Sequence, residues 1–570
     1  MCGIAGIVGS GDHTAMPGML KSIAHRGPDF SAIYEDQGFC TLGHNRLSII
    51  DLSAAANQPF SDPNGRYTLV FNGEIYNYIE LRNQLQSQYE FRTQSDTEVL
   101  LAAYMVHGKD LLTKLRGMFA FAIWDAQEKS LFAARDPFGV KPFYFSRTNT
   151  DFVFASEIKG LFAAGVPKKL NTSVWANFYA SGSYGAPQET FYESIFQLPG
   201  GHYLELRGGK LHQSQWYDFV NRVNQIQPVA SFQEASVHYE ELLKESVALR
   251  FRADVPVGFN LSGGVDSSAL LAYVNDRPDA QAIEAFTFYT GDERYDELYW
   301  VEQMIERTGN PLNKVLLSPE DAEKSAQSMA DQQDEPFGGI PTLAYAKIFQ
   351  AASRKGIKVL LDGQGMDEQW AGYDYYFKQG GQLIQGVTQS GSPFKKEVLS
   401  AAMQKLIAPL DPPQPFDNRL QNLQYRDLFY TKIPRALRFN DRVSMASSTE
   451  LREPFLDHQL VEYAFAQPEA YKRKGVINKF LLRLLIEQKV GSTISYAPKR
   501  PLQTPQREWL AGPLKPWVAS KIKGLKHSPV EEWFDHEKLQ KYWKEYQEGD
   551  QQFSFHIWQW LNTALLLEQD

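Results

Sequence analysis

Cys2 and the run Ser262-Gly263-Gly264-Val265-Asp266-Ser267 are the two places in this chain where residue type and spacing point to covalent or phosphate chemistry. Once Met1 is removed, Cys2 carries a thiol and a free α-amine on one residue. Thiolate is the attacking form, and an amine with a pKa of about 8 can take the thiol proton directly or through water. The glycine-rich run ends the apolar stretch Val257–Leu261 and opens the helical pattern Ala269–Tyr273. Successive backbone N–H groups in such a turn cradle a pyrophosphate, and glycine lets the backbone approach its oxygens closely. There is no GxxxxGK[ST] sequence, so the loop is not of the Walker type. Two active sites on one chain are expected.

Further residues group around the first centre. Asn72-Gly73 ends a strand-like run, where a side-chain amide and a backbone N–H can aim at one spot, as an oxyanion hole requires. Arg46, in Asn45-Arg46-Leu47-Ser48, could hold a carboxylate in bidentate fashion. Asp96 and Glu74 could receive an ammonium. Together they describe a pocket for an α-amino acid whose distal carbonyl meets Cys2. Each also has a plainer reading, a hairpin turn for Asn72-Gly73 and a surface ion pair for Arg46. Basic groups at Arg435–Arg442, Lys472–Lys479 and Lys499–Arg507 are either solvated faces or contacts to polyphosphate.

These residues need elements to hold them. The first ~210 residues carry short strand-like runs between turn residues, at Tyr67–Asn72, Ala120–Asp125, Leu131–Ala134, Phe143–Phe145, Phe152–Ala155 and His202–Leu206. Helical periodicity covers Tyr78–Ser87 and Asp96–His107. Antiparallel sheets with a few helices fit this half, residues 1–215, and the polar stretch Asn221–Ser231 reads as a linker. In residues 232–570, strand-like runs at Val257–Leu261, Ile283–Tyr289, Lys314–Leu317 and Lys358–Leu361 alternate with helical patterns, which predicts a doubly wound parallel sheet. From Asn418 onward helical patterns dominate. The length of 570 residues calls for two domains, and 43% apolar with 22% charged residues is the balance of a soluble protein. A net charge of −9 argues against a general nucleic-acid binder. No uninterrupted apolar run is long enough to span a membrane, no secretory signal precedes Cys2, and two cysteines build neither a disulfide framework nor a zinc site. A cytoplasmic location is expected.

Cys2-Gly3-Ile4, His25–Asp29, Arg46–Ile49, Asn72–Asn77, Ser95–Glu98, Arg135–Pro142 and Ala155–Lys159 together resemble the class II glutamine amidotransferase domain. The resemblance implies an N-terminal-nucleophile hydrolase fold with antiparallel sheets sandwiched between helices. It also implies that Cys2 attacks the amide of glutamine, that Asn72 and Gly73 stabilise the oxyanion, and that Arg46, Ile50, Glu74 and Asp96 bind the rest of glutamine. The second half resembles the ATP-pyrophosphatase-type domain of the glutamine-hydrolysing asparagine synthetase family. The match rests on the SGGVDS loop, Asp334-Glu335-Pro336, Leu360–Glu368, Asn440–Ala446, Glu450–Asp457 and Lys499. By that resemblance Leu261, Ser262, Gly263, Gly264, Asp266, Ser267, Phe288, Asp362, Gly363, Arg442 and Lys499 bind ATP, Asp266 and Asp367 hold Mg²⁺, and the protein is a homodimer.

Three segments depart from the family pattern. Gln364 stands where Glu or Asp is common, and an amide cannot take a proton at neutral pH. Gln364 could still orient the acceptor by hydrogen bonding. The chain reads Lys499-Arg500-Pro501-Leu502 for Lys-x-Gly-Phe, and Arg452-Glu453-Pro454 for Arg-Val-Pro. All three lie where the acceptor end is shaped. The resemblance implies glutamine-dependent amidation of an AMP-activated carboxylate, with aspartate as the expected acceptor and a sugar uronic acid or peptide as the alternative. A catalytically dead regulator is disfavoured because nucleophile and nucleotide loop are both intact.

Overall fold

A computed structural model of the chain describes residues 1–148, 150–229, 231–278, 280–378, 392–498 and 504–567. In the first half, two six-stranded antiparallel sheets face each other. One has Gly3–Gly9 near its centre, paired with Cys40–Arg46 on one side and Asp151–Ala155 on the other. The other is built on Tyr67–Ile75, Gly117–Asp125, Ser130–Arg135 and His202–Arg207. Ile4, Val8 and Leu42 from the first sheet meet Val70, Ala120, Ala122 and Trp124 from the second. Both faces of each sheet are apolar, so the outer faces need covers. Helices Tyr78–Leu85 and Asp96–His107 bury Leu81, Val99 and Leu100 against Leu69 and Phe71, and helices Met16–Ser22 and Ile158–Ala163 cover Ala5, Ile7 and Ala155. The Asp96–His107 helix starts where Ser95 accepts from the Thr97 N–H, a side-chain cap worth about 1 kcal/mol.

The second half holds a five-stranded sheet in the order Leu312–Leu316, Ala285–Tyr289, Val257–Asn260, Val359–Leu361, Glu450–Arg452. Every pair in it is parallel. Val265–Val274 and Phe480–Ser495 cover one face, while Pro319–Gln333, Gly339–Arg354 and the C-terminal Phe555–Leu567 cover the other. The chain lays down Val257–Asn260, moves outward through two strands, then returns to place Val359–Leu361 on its other side. That reversal opens a crevice at the carboxyl ends of these strands, where open α/β sheets bind ligands. The Ser262–Ser267 loop and the Asp362–Asp367 loop both lie there.

Two expectations change. The segment read as the linker, Asn221–Ser231, begins inside a helix, Phe219–Gln225, whose Phe219 and Val223 pack on Val461 and Phe465. And within the region expected to be helical, Glu450–Arg452 forms the fifth strand of the parallel sheet.

Buried ion pairs lock the two halves together. Arg26 is fully buried and donates to Glu157 at 2.7 Å and to Asp441 at 2.8 and 3.3 Å. Removing one partner of such a group strands the others. Arg26→Ala is expected to cost about 3–5 kcal/mol, read as a lower urea midpoint. Adding Asp441→Asn should then cost less than the two single losses summed, because the pair is coupled.

Candidate active sites

Cys2 sits immediately before the buried Gly3–Gly9 strand, which is paired on both sides and so positions it. Its Sγ lies 3.9 Å from the Leu47 carbonyl, its N–H donates to Asn72 Oδ1 at 3.0 Å, and its carbonyl accepts from Arg26 Nε at 3.1 Å. With Oδ1 committed to Cys2, the amide nitrogen of Asn72 is left buried without a hydrogen-bond partner among the described residues. A buried, unsatisfied donor beside a nucleophile is what a developing oxyanion requires. At the adjoining Gly73, φ is +151° and an added Cβ would lie 2.1 Å from the Met118 carbonyl, so glycine alone fits. Burial pushes the Cys2 thiol up, opposed by the terminal ammonium, the Leu47 carbonyl and Arg46.

Met1 fills this site. Its ammonium pairs with Glu450 at 2.9 Å and its side chain packs among Leu47, Ile49, Ile50, Val359 and Met445. Removal of Met1 would open space next to Cys2 and leave Glu450 without that cation. Glu450, Glu74 and Asp96 then gather around one guanidinium, Arg452, which lies 2.5 Å from Glu450 and 3.5 Å from Glu74. Burial raises Glu74, with Glu450 and Asp96 adding to it. Asp96 accepts from the Ile75 N–H at 2.9 Å and is pushed up to about 6 by burial. Three carboxylates facing one arginine suit an ammonium ligand. Arg46, expected to hold a ligand carboxylate, is already engaged. Its terminal nitrogens donate to Ser53 O, Asn57 Oδ1, Ile50 O and Asp51 O, tying the loop beside Cys2, so a ligand carboxylate would have to share it.

At the second site, the Val265–Val274 helix starts at Gly264, so its free N–H groups face the crevice. Ser267 Oγ donates to Gly264 O at 3.1 Å and accepts from the Ser262 N–H at 3.3 Å, closing the turn. The adjoining cleft is lined by Leu261, Ser262, Phe288, Asp296, Glu297 and Tyr345. Asp362 accepts from the Gly363 N–H at 2.8 Å and from Asn260 at 3.4 Å, and burial pushes it up to about 6. Asp266 and Asp367 come from opposite loops and converge on Lys479 Nζ, at 2.6 and 2.5 Å. Two carboxylates already sharing one cation form a donor set that fits magnesium, which takes few protein oxygens and completes its shell with phosphate and water.

The structure therefore gathers Cys2, Asn72, Gly73, Glu74 and Asp96 at one site, and Leu261, Ser262, Gly263, Gly264, Asp266, Ser267, Phe288, Asp362, Gly363 and Asp367 at the other. Arg442 is not placed with them. Its guanidinium is held by Tyr144 at 2.7 Å, Glu335 at 3.0 Å and the Gln333 carbonyl, in the buried network between the domains. The family resemblance had implied that it faces the phosphates of ATP. Lys499 lies outside the described residues. Lys479 was legible only as part of a basic group, and no pattern marked it as the cation between the two carboxylates.

Comparison with known proteins agrees with this geometry. A glutamine amidotransferase domain matches residues 1–217 and an asparagine synthase domain matches residues 238–568. The second covers more than half the chain, so the chain belongs to the asparagine synthase family. The glutamine-hydrolyzing asparagine synthetase 1 of Bacillus subtilis is 29% identical, over 92% of this chain and 90% of its own length. Asparagine synthetase 3 of the same organism is 27% identical over 95% and 92%. Amidase chyE of Penicillium rubens is 28% identical over 87% and 85%. The chain is a glutamine-dependent ligase.

Two outcomes test the assignments. Asn72→Ala should lower kcat for glutamine hydrolysis by about 10²–10³ in a stopped ammonia-release assay. Because Asp96 must be ionised to receive an ammonium, kcat/KM for glutamine should fall as pH drops through about 6. Asp96→Asn should abolish that limb along with most of the affinity.

Proposed function

From membership of the asparagine synthase family, we propose that the chain makes asparagine, moving the amide nitrogen of glutamine to the side-chain carboxylate of aspartate at the expense of ATP. The observation that carries this reading is the pairing of the orphaned Asn72 amide beside Cys2 with the Asp266–Asp367 pair beside the glycine loop.

After loss of Met1, the Cys2 amine takes the thiol proton and sulfur attacks the glutamine amide carbon. Asn72 Nδ2 donates to the oxyanion, ammonia leaves, and water releases glutamate from the thioester. At the other site the aspartate carboxylate attacks the α-phosphate of ATP and pyrophosphate departs, leaving β-aspartyl-AMP. Asp266 and Asp367 would hold Mg²⁺, which when bound offsets the phosphate charge. The glycine-loop N–H groups hold and orient the leaving pyrophosphate. Ammonia must cross between the sites without meeting bulk water, where it would be largely protonated, and the apolar ground that Met1 vacates among Leu47, Val359 and Met445 offers a sheltered start.

A second acceptor of the same chemical class, a uronic acid or a peptide carboxylate, is favoured by Gln364 and Glu453 at the acceptor end and by the similarity to a fungal amidase. Aspartate-dependent pyrophosphate release, set beside release with galacturonate and with an acidic peptide, decides between them. Cys2→Ala should lose asparagine formation from glutamine while retaining it from ammonium chloride, measured by mass spectrometry. Equal loss from both nitrogen sources would contradict the two-site scheme. Asp266→Asn should instead abolish pyrophosphate release and leave glutamine hydrolysis.

A further inference from the structure

Glu453 is 3% exposed, and neither of its carboxylate oxygens has a hydrogen-bond partner of normal geometry among the described residues. No other buried carboxylate among them is orphaned at both oxygens. Nor is an ion pair to it formed among the described residues. The ammonium of Lys141, whose positive charge acts on it, is bound to the Leu451 carbonyl at 3.3 Å and approaches Asp441 at 3.9 Å. A buried acidic side chain with nothing to hold it costs stability of the order of 1–3 kcal/mol or more, and such a group persists where something else uses it.

Its position says what that use is. Strands Val359–Leu361 and Glu450–Arg452 pair in parallel with Leu361 opposite Arg452. The residues one step beyond, Asp362 and Glu453, therefore emerge side by side at the carboxyl edge of the sheet, and the Asp362 N–H donates to the Arg452 carbonyl at 3.0 Å to hold them so. The Gln364 backbone N–H approaches the Glu453 carboxylate. Asp362 and Tyr345, the latter a wall of the cleft beside the glycine loop, are coupled to it electrostatically. At the other end of the same short strand Glu450 pairs with the Met1 ammonium beside Cys2. Three residue steps of extended chain, roughly 10 Å, thus lead from the nitrogen-releasing site to Glu453.

We propose that Glu453 is the general base of the amidation step, the carboxylate that Gln364 cannot be. It rests on the reading that an acyl adenylate forms in this crevice. Ammonia attacks the adenylate carbonyl carbon and a C–N bond forms. The C–O bond to AMP breaks, AMP leaves with the electron pair, and the proton shed by nitrogen passes to the Glu453 carboxylate and then to solvent. Burial raises this carboxyl and Asp362 adds to the rise, while Lys141 and the Gln364 N–H oppose it, so it is a stronger base than an exposed glutamate.

The test separates the two chemical steps in the full-length protein, with ATP, Mg²⁺, aspartate and ammonium chloride. Glu453→Gln should lower amide formation by about 10²-fold or more while acceptor-dependent pyrophosphate exchange falls far less. The acidic limb of the amidation pH profile should vanish in that variant. Returning a carboxylate from the facing loop, Gln364→Glu in the Glu453→Gln background, should recover a large part of the rate and guards against a folding defect as the cause. Equal loss of exchange and amidation with no recovery in the double variant would overturn the role of Glu453 alone. Absence of exchange in the unaltered protein, with aspartate and with the other carboxylates alike, would overturn the adenylation reading and this role with it.

Discussion

Where the Glu450–Arg452 strand meets the first domain, four charged groups lie out of water together: the Met1 ammonium, the Glu450 and Glu74 carboxylates, and the Arg452 guanidinium. Arg452 is completely buried and also donates to the Arg250 and Arg252 carbonyls at 2.7 and 2.9 Å. Charges moved from water to a protein interior survive only when each finds its partner, and losing one partner is far worse than never having had the pair. This mutual dependence fixes the distance between the two active sites. A shift of the domains by a residue would leave several buried ions unpaired at once, so the interface has one favourable register.

The same strand explains how two chemistries share one fold. Its first residue pairs with the Met1 ammonium next to Cys2, its backbone carbonyl at Leu451 binds Lys141 of the first domain, and its last residue accepts from the Asp362 N–H at the crevice. A parallel sheet collects catalytic groups at its carboxyl edge whatever the identity of its strands. Here the edge strand is also the surface on which the glutaminase half is seated. The two candidate sites are neighbours because a single three-residue segment borders both.

Two neighbouring buried side chains show how fully a charge can be satisfied in this fold. Arg135 donates to three carbonyls, and Asp136 accepts from the N–H groups of Phe119, Phe138, Val140 and Lys141. Against such bonding, the bare nitrogen of Asn72 and the bare oxygens of Glu453 mark places where the fold leaves room for a reacting molecule. Lys479 is the opposite case, a cation clamped between two carboxylates that would otherwise repel each other across the phosphate loop.

Much of this was legible in the amino-acid sequence. The two centres, the antiparallel and parallel halves, and the Asp96–His107 helix follow from local signals: a cysteine behind the initiator, glycines at a strand-to-helix turn, and periodicity with its serine cap. Such signals act over a few residues and survive without knowledge of the fold. The fate of Arg442, the clamp by Lys479 and the seating of Met1 on Glu450 did not show. Glu450–Arg452 is too short to carry an alternating pattern, and its identity as a strand comes only from the neighbour it pairs with. Likewise, Glu453 was visible as an unusual residue, but a buried charge is defined by what surrounds it. Partners separated by tens to hundreds of positions are chosen by desolvation, and only the closed tertiary structure takes water away.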